Sequence, residues 1–143
     1  MQKRLVIFLI LITGVLIGCQ SNDESRELHF QGTGINWRVE LEYEEEQLDN
    51  GEYDFDFDLV ISYNDKLGES TVAEQVGYRL TLGNVAVFEN TDEYEEEIDV
   101  SALYIEGEGV SENSLPSEAQ IIIEITWDDQ QESFPLGQVE IDD

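Results

Sequence analysis

Apolar and polar residues alternate with a period of two along most of this chain. Trp37, Val39, Leu41 and Tyr43 are interleaved with Arg38, Glu40, Glu42 and Glu44. Further on, Tyr53, Phe55, Phe57, Leu59, Ile61 and Tyr63 are interleaved with Glu52, Asp54, Asp56, Asp58, Val60 and Ser62. Successive side chains of a strand point to opposite faces, so both segments read as strands with one face buried and one wet. Asp49-Asn50-Gly51 between them reads as a hairpin loop, with Gly51 free to take positive φ. A three-residue loop sets Leu48 opposite Glu52, and therefore Tyr43 opposite Phe57 and Leu41 opposite Leu59, so the two apolar faces coincide. A loop one residue shorter would oppose Tyr43 to Asp58; a five-residue loop would keep the faces and shift the partners. The three-residue register also forces Glu46 against Asp54, Glu44 against Asp56 and Glu42 against Asp58. These carboxylates form a ladder of like charges on one outward face, which destabilises directly opposed pairs.

The same period continues downstream. Val76, Tyr78, Leu80 and Leu82 predict a third strand, broken at Gly83-Asn84 and resumed over Val85–Phe88. Thr91–Glu97 reads as a charged connection, Ile98–Val100 and Leu103–Ile105 as short strands, and Gly107–Ser117 as a loop. Ile121, Ile123, Ile125 and Trp127 predict a strong strand that Asp128–Gln131 turns toward Phe134 and Leu136. Pro135 has no N–H to give a ladder, which predicts that the last strand lies at an edge. The expected core includes Trp37, Val39, Leu41, Tyr43, Phe55, Phe57, Leu59, Ile61, Leu80, Ile123, Ile125 and Trp127. Seven or eight short strands at this spacing predict an all-β domain over residues 28–143, an antiparallel immunoglobulin-like β-sandwich.

The first residues follow a different rule. Met1-Gln2-Lys3-Arg4 is cationic, and Leu5–Gly18 is a run of fourteen almost wholly apolar residues. As a helix such a run rises about 21 Å, short of a hydrocarbon core of about 30 Å, so it reads as a cleaved signal peptide rather than a span. Leu16-Ile17-Gly18-Cys19 resembles the lipobox of bacterial lipoproteins. The resemblance implies that cleavage falls between Gly18 and Cys19, that the Cys19 sulfur carries a diacylglyceryl group, and that the new amine is acylated. Two or three acyl chains hold a protein stably at a membrane. The expected organisation is thus a signal peptide over 1–18, a lipid-anchored polar tether over 19–27 and the β domain over 28–143. The expected location is the extracytoplasmic face of the bacterial cell membrane.

Two further segments carry a resemblance. Gly32-Thr33-Gly34-Ile35-Asn36-Trp37-Arg38-Val39 resembles the G-E-S-x-N-W-x-V opening of small surface lipoproteins of Gram-positive, Bacillus-like bacteria, with Thr33-Gly34 where those have Glu-Ser. Ile123-Glu124-Ile125-Thr126-Trp127 with Glu132-Ser133-Phe134-Pro135-Leu136 resembles their closing hairpin. The resemblance implies location and fold, and no activity. On physical grounds Asn36 ties down a turn and Trp37 opens the buried face; an aromatic at a ligand-binding rim is the alternative reading.

Charge narrows the partners. The chain holds 34 acidic against six basic residues, a formal charge of −28 that becomes −30 once Lys3 and Arg4 leave with the signal. Nucleic acid and anionic lipid need a basic surface, so both are poor partners; cations and basic proteins or peptides fit. With 41% hydrophobic and 10% aromatic residues the chain has the material for a core, which argues against disorder. Cys19 is the only cysteine, so no disulfide forms within the chain. His29 is the only histidine, nothing beside it marks a nucleophile with an oriented base, and no zinc-ligand or phosphate-loop pattern occurs. No cofactor, no metal site and no catalysis are expected. Asp92–Glu97 and Asp128-Asp129 are oxygen-rich but lack the calcium-loop pattern. The expected function is a monomeric, non-enzymatic binding or envelope-associated module, with Glu42, Glu44, Glu46, Asp54, Asp56 and Asp58 as its candidate acidic face. The alternatives are an acidic accessory subunit or inhibitor of a basic protein, and a weak calcium binder.

Overall fold

The computed structural model describes residues 24–64 and 71–140. Eight antiparallel strands fill them: β1 (Ser25–Thr33), β2 (Trp37–Gln47), β3 (Tyr53–Tyr63), β4 (Val72–Leu82), β5 (Ala86–Asp99), β6 (Ala102–Ser111), β7 (Ile121–Trp127) and β8 (Gln130–Val139). The described residues contain no helix. The strands form one sheet in the order β5-β4-β7-β8-β1-β2-β3-β6.

Aromatic contacts show how strongly this sheet curls. Trp37 on β2 and Trp127 on β7 stand three strands apart in the order, about 14 Å in a flat sheet, yet their ring centroids are 5.3 Å apart. Phe57 on β3 and Phe88 on β5 stand six strands apart, about 29 Å if flat, and their rings meet at 4.8 Å. The sheet therefore wraps round its own apolar face into a nearly closed, barrel-like form. β8 makes the turn: it pairs with β7 from Gln130 to Leu136 and with β1 from Gly137 to Val139.

Every residue expected in the core is buried. The β2–β3 register is the one the hairpin demands: Tyr43 faces Phe57, Leu41 faces Leu59, Glu44 faces Asp56 and Glu46 faces Asp54. The loop closes with Gly51 N–H donating to Leu48 O at 2.9 Å and Leu48 N–H donating to Glu52 O at 2.8 Å. Gly51 sits at φ 88°, a left-handed conformation that suits glycine.

Several boundaries differ from those expected. Thr91–Glu97 is not a connection but part of β5, the longest strand. Its paired stretch runs from Ala86 to Glu93; between Gln75↔Glu93 and Ala73↔Ile98 the single Glu74 of β4 faces the four residues Tyr94–Glu97, a bulge on an exposed edge. Alternation fails as a signal there because neither face of that stretch is buried. Gly107–Ser111, expected to open a loop, extends β6, because the rings of Phe57 and Phe55 lie against Gly107 and Gly109 where a side chain would collide. β8 is not an edge strand. Pro135 is tolerated inside the sheet because the β1 ladder on β8 starts only at Gly137. β1 begins at Ser25, three residues before the expected domain start. The expected signal peptide, Gly18 and Cys19 lie outside the described residues.

Candidate functional site

The outward positions of β1, β2, β3 and β6 form a single acidic surface. Cross-strand register lines up Glu27, Glu44, Asp56 and Glu108 in one row, and His29, Glu42, Asp58 and Glu106 in the next. Glu46 and Asp54 continue it behind Ser25. All six candidate carboxylates are exposed and stand side by side across β2 and β3, and β1 and β6 add further acids on both flanks. Among the described residues, the only basic side chains at outward positions of these four strands are His29 and Arg38. His29 contacts Glu27 at 2.7 Å and Glu42 at 3.7 Å, and Arg38 pairs with Glu40 at 2.6 Å. The middle of the face has no protein cation. The carboxylates lie in rows and do not converge: among the described residues, no three His, Cys, Asp or Glu side chains are grouped to hold a metal ion.

Three other acids have structural work. Glu45 shares the inward phase of Tyr43 and is only 2% exposed. Its carboxylate accepts from Arg26 at 3.2 Å, from the Tyr43 hydroxyl at 3.1 Å, from Leu115 N–H at 3.0 Å and from the Ser114 hydroxyl. That set pins the segment after β6 across one end of the barrel, with Leu115 fully buried. Burial, and then the neighbouring Glu45 charge and hydrogen bond, push the Tyr43 phenol above its usual range, against a smaller opposing pull from Arg26. Asp128, at φ 49°, accepts from the backbone N–H groups of Glu74 and Gln75 at 3.0 and 3.2 Å, next to the β4 bulge.

Glu132 joins the two segments that carry the sequence resemblance. It accepts from the N–H of Ile35, and from both the N–H and Nδ2 of Asn36 at 2.9 Å. A Cβ at Gly34 would crowd this carboxylate and the Phe134 ring. Beside it, Trp37 is fully buried, edge-on to Tyr63 and to Trp127. Trp37 is therefore a core residue and not a rim aromatic, and its indole Nε1 has no hydrogen-bond partner.

The sheet's two edges produce the second notable feature. β5 hydrogen-bonds to β4 and β6 to β3, and no ladder joins β5 to β6 although only Val100 and Ser101 separate them in sequence. Between these edges lies a cleft of about 390 Å³. Val76, Tyr78, Leu103 and Ile105 give it an apolar floor, with Asp92 beside Val76 on the same face, while Tyr94, Tyr104 and Glu106 stand at its lips. Tyr104 is 79% exposed. Burial, and then the Asp92 charge, raise the Tyr78 phenol above its usual value.

Sequence reasoning missed Glu45 as a buried anchor and missed the cleft. Strand parity was the available signal for Glu45, since it follows Tyr43 by two. No sequence signal marks the cleft, because it depends on which strands end as edges. No protein-family model matches the chain, and neither a curated protein nor a solved structure matches it.

Proposed function

We propose that this chain is a lipid-anchored extracytoplasmic lipoprotein whose β domain is a non-enzymatic binding module for cationic partners at the bacterial envelope. The anchor reading is supported by the cationic start, the short apolar run and the Leu-x-Gly-Cys pattern together. On it, residues 1–18 leave as a signal peptide, Gly18-Cys19 is the cut and Cys19 carries the lipid. Residues 19–24 then precede β1 and reach at most about 21 Å, so the Ser25 end of the barrel faces the membrane. The finer fold reading, an immunoglobulin-like sandwich, treats the two halves of the curled sheet as layers; its support is the Trp37–Trp127 contact across them.

One observation carries the binding reading: the rows Glu27–Glu44–Asp56–Glu108 and Glu42–Asp58–Glu106 have almost no protein cation to neutralise them. Holding like charges in direct opposition costs stability. A surface so built draws cations or basic groups from outside. An acidic accessory subunit or inhibitor of a basic protein is the form of this function that the same rows favour.

Cell fractionation tests the anchor. The wild-type protein is expected in the membrane fraction at its processed size, and Cys19→Ser is expected to accumulate as a larger precursor. A Cys19→Ser protein that is cut and released normally would overturn it. Recovery of one stoichiometric basic partner from detergent-solubilised envelope supports the accessory reading; recovery of none, with retention only of small cations, would contradict it.

A further inference from the structure

We infer that the open seam between β5 and β6 receives an extended peptide strand in which basic and apolar residues alternate, paired edge-on to β6 between Leu103 and Glu106. This rests on the cationic-partner reading above and narrows it to one place and one pattern.

The backbone supplies the first reason. β6 is bonded to β3 on one side only, and among the described residues its other side has no ladder partner. An unpaired strand edge is a template for another strand. Nearer Ser111 the edge is obstructed from within, since the rings of Phe57 and Phe55 cover Gly107 and Gly109. At Leu103–Glu106 the edge instead borders the cleft. Ala102 pairs with Ser62, Ser62 with Arg38 and Arg38 with Thr33. This part of the seam thus lies toward the end of the barrel opposite Ser25, where Val100 and Ser101 join β5 to β6, and away from the proposed anchor.

Side-chain chemistry supplies the pattern. Along β6, Leu103 and Ile105 turn inward and are half-buried, whereas Tyr104 and Glu106 turn outward and are exposed. A strand laid beside β6 has its own side chains on the same two faces. Its inward residues would meet Leu103, Ile105 and the floor made by Val76 and Tyr78, which favours apolar side chains. Its outward residues would meet the exposed Glu106 and Tyr104 ring, while Asp92, the cross-strand partner of Val76, borders the floor from β5. Lysine or arginine suits both, by ion pairing and by cation–π contact. A second copy of this chain is a poor occupant: edge-to-edge pairing of β6 with β6 would crowd Glu106 and Glu108 against their own kind.

The test uses the full-length chain in a non-ionic detergent at about 0.15 M salt, where the screening length is about 8 Å. The probes are a seven-residue peptide of alternating lysine and valine with blocked termini, and its block permutation of four lysines followed by three valines. The alternating peptide is expected to bind about tenfold more tightly than the block peptide. It should also slow amide exchange at Leu103–Gly107. The pair Tyr104→Ala with Glu106→Gln is expected to weaken it by about tenfold, and the pair Glu27→Gln with Glu44→Gln by distinctly less. All four side chains are exposed, so neither pair touches the core. Equal binding of the two peptides, or equal weakening by the two pairs, would overturn the seam and leave a diffuse acidic face. Absence of any binding, even at low salt, would overturn the cationic-partner reading with it.

Discussion

Glu132 Oε2 lies 2.9 Å from the backbone nitrogen of Asn36 and 2.9 Å from its Nδ2. One carboxylate on β8 thus fixes the turn that begins β2, immediately beside the Trp37–Trp127 contact. Sequence motifs at the two ends of the domain are two sides of one junction. Removing the acceptor leaves the half-buried Asn36 amide unpaired, while the exposed Ile35 amide turns to water, at a cost of about 1–2 kcal/mol. Glu132→Ala should lower the urea midpoint accordingly, and Glu132→Gln, which keeps one acceptor oxygen, should lose less. An alanine variant as stable as wild type would show the junction to be dispensable.

Phe57 anchors the other side of the barrel. Its ring meets Phe88 across the seam and covers Gly107. Phe57→Ala should cost about 3–5 kcal/mol, enough to unfold a domain of ordinary stability. Glu42→Ala, on the exposed face of the neighbouring strand, should not destabilise. Thermal melting separates the two, and a mild effect at Phe57 would contradict the packing that curls the sheet.

Alkaline pH should weaken the fold through Tyr43. Its phenol titrates higher in the folded domain than in the unfolded chain, because burial and Glu45 disfavour the phenolate. The neutral form is therefore a source of stability that is whole below about pH 10 and is lost as pH rises further. Tyr43→Phe removes the hydrogen bond to Glu45 and should melt about 1 kcal/mol less stably at neutral pH. It should also decline less steeply above pH 10 than wild type. Parallel alkaline limbs for the two proteins would rule out this role.

The coincidence of the two apolar faces in the hairpin was legible in the sequence, and the observed register is the one a three-residue loop gives, although a five-residue loop with shifted partners was also open. The core was legible from the period of two: in Trp37–Tyr43, Phe55–Ile61 and Ile121–Trp127 every second residue is apolar and buried, although Val60 and Ile122 add apolar side chains to the other face. Thr91–Glu97 was not legible, since an edge bulge exposes both faces and leaves no period to read. The position of β8 was misread from Pro135, because a proline needs only a local gap in the ladder and not a free strand. The curl, and with it the cleft between β5 and β6, follows from long-range ring contacts that no local pattern records. The acidic face was legible from register alone; its extension onto β1 and β6 required the strand order.

Thermal melting of the full-length chain in non-ionic detergent, at low salt and at molar sodium chloride, tests most directly whether that face repels itself. At 1 M the screening length falls to about 3 Å, so the opposed rows through Glu44–Asp56 and Glu42–Asp58 should cease to oppose folding. The melting temperature is expected to rise with salt, and replacing Glu44 by Gln together with Asp56 by Asn should raise it at low salt and shrink the dependence. Salt-independent melting of the wild-type chain would contradict an unneutralised acidic face, and with it the case for a cationic partner.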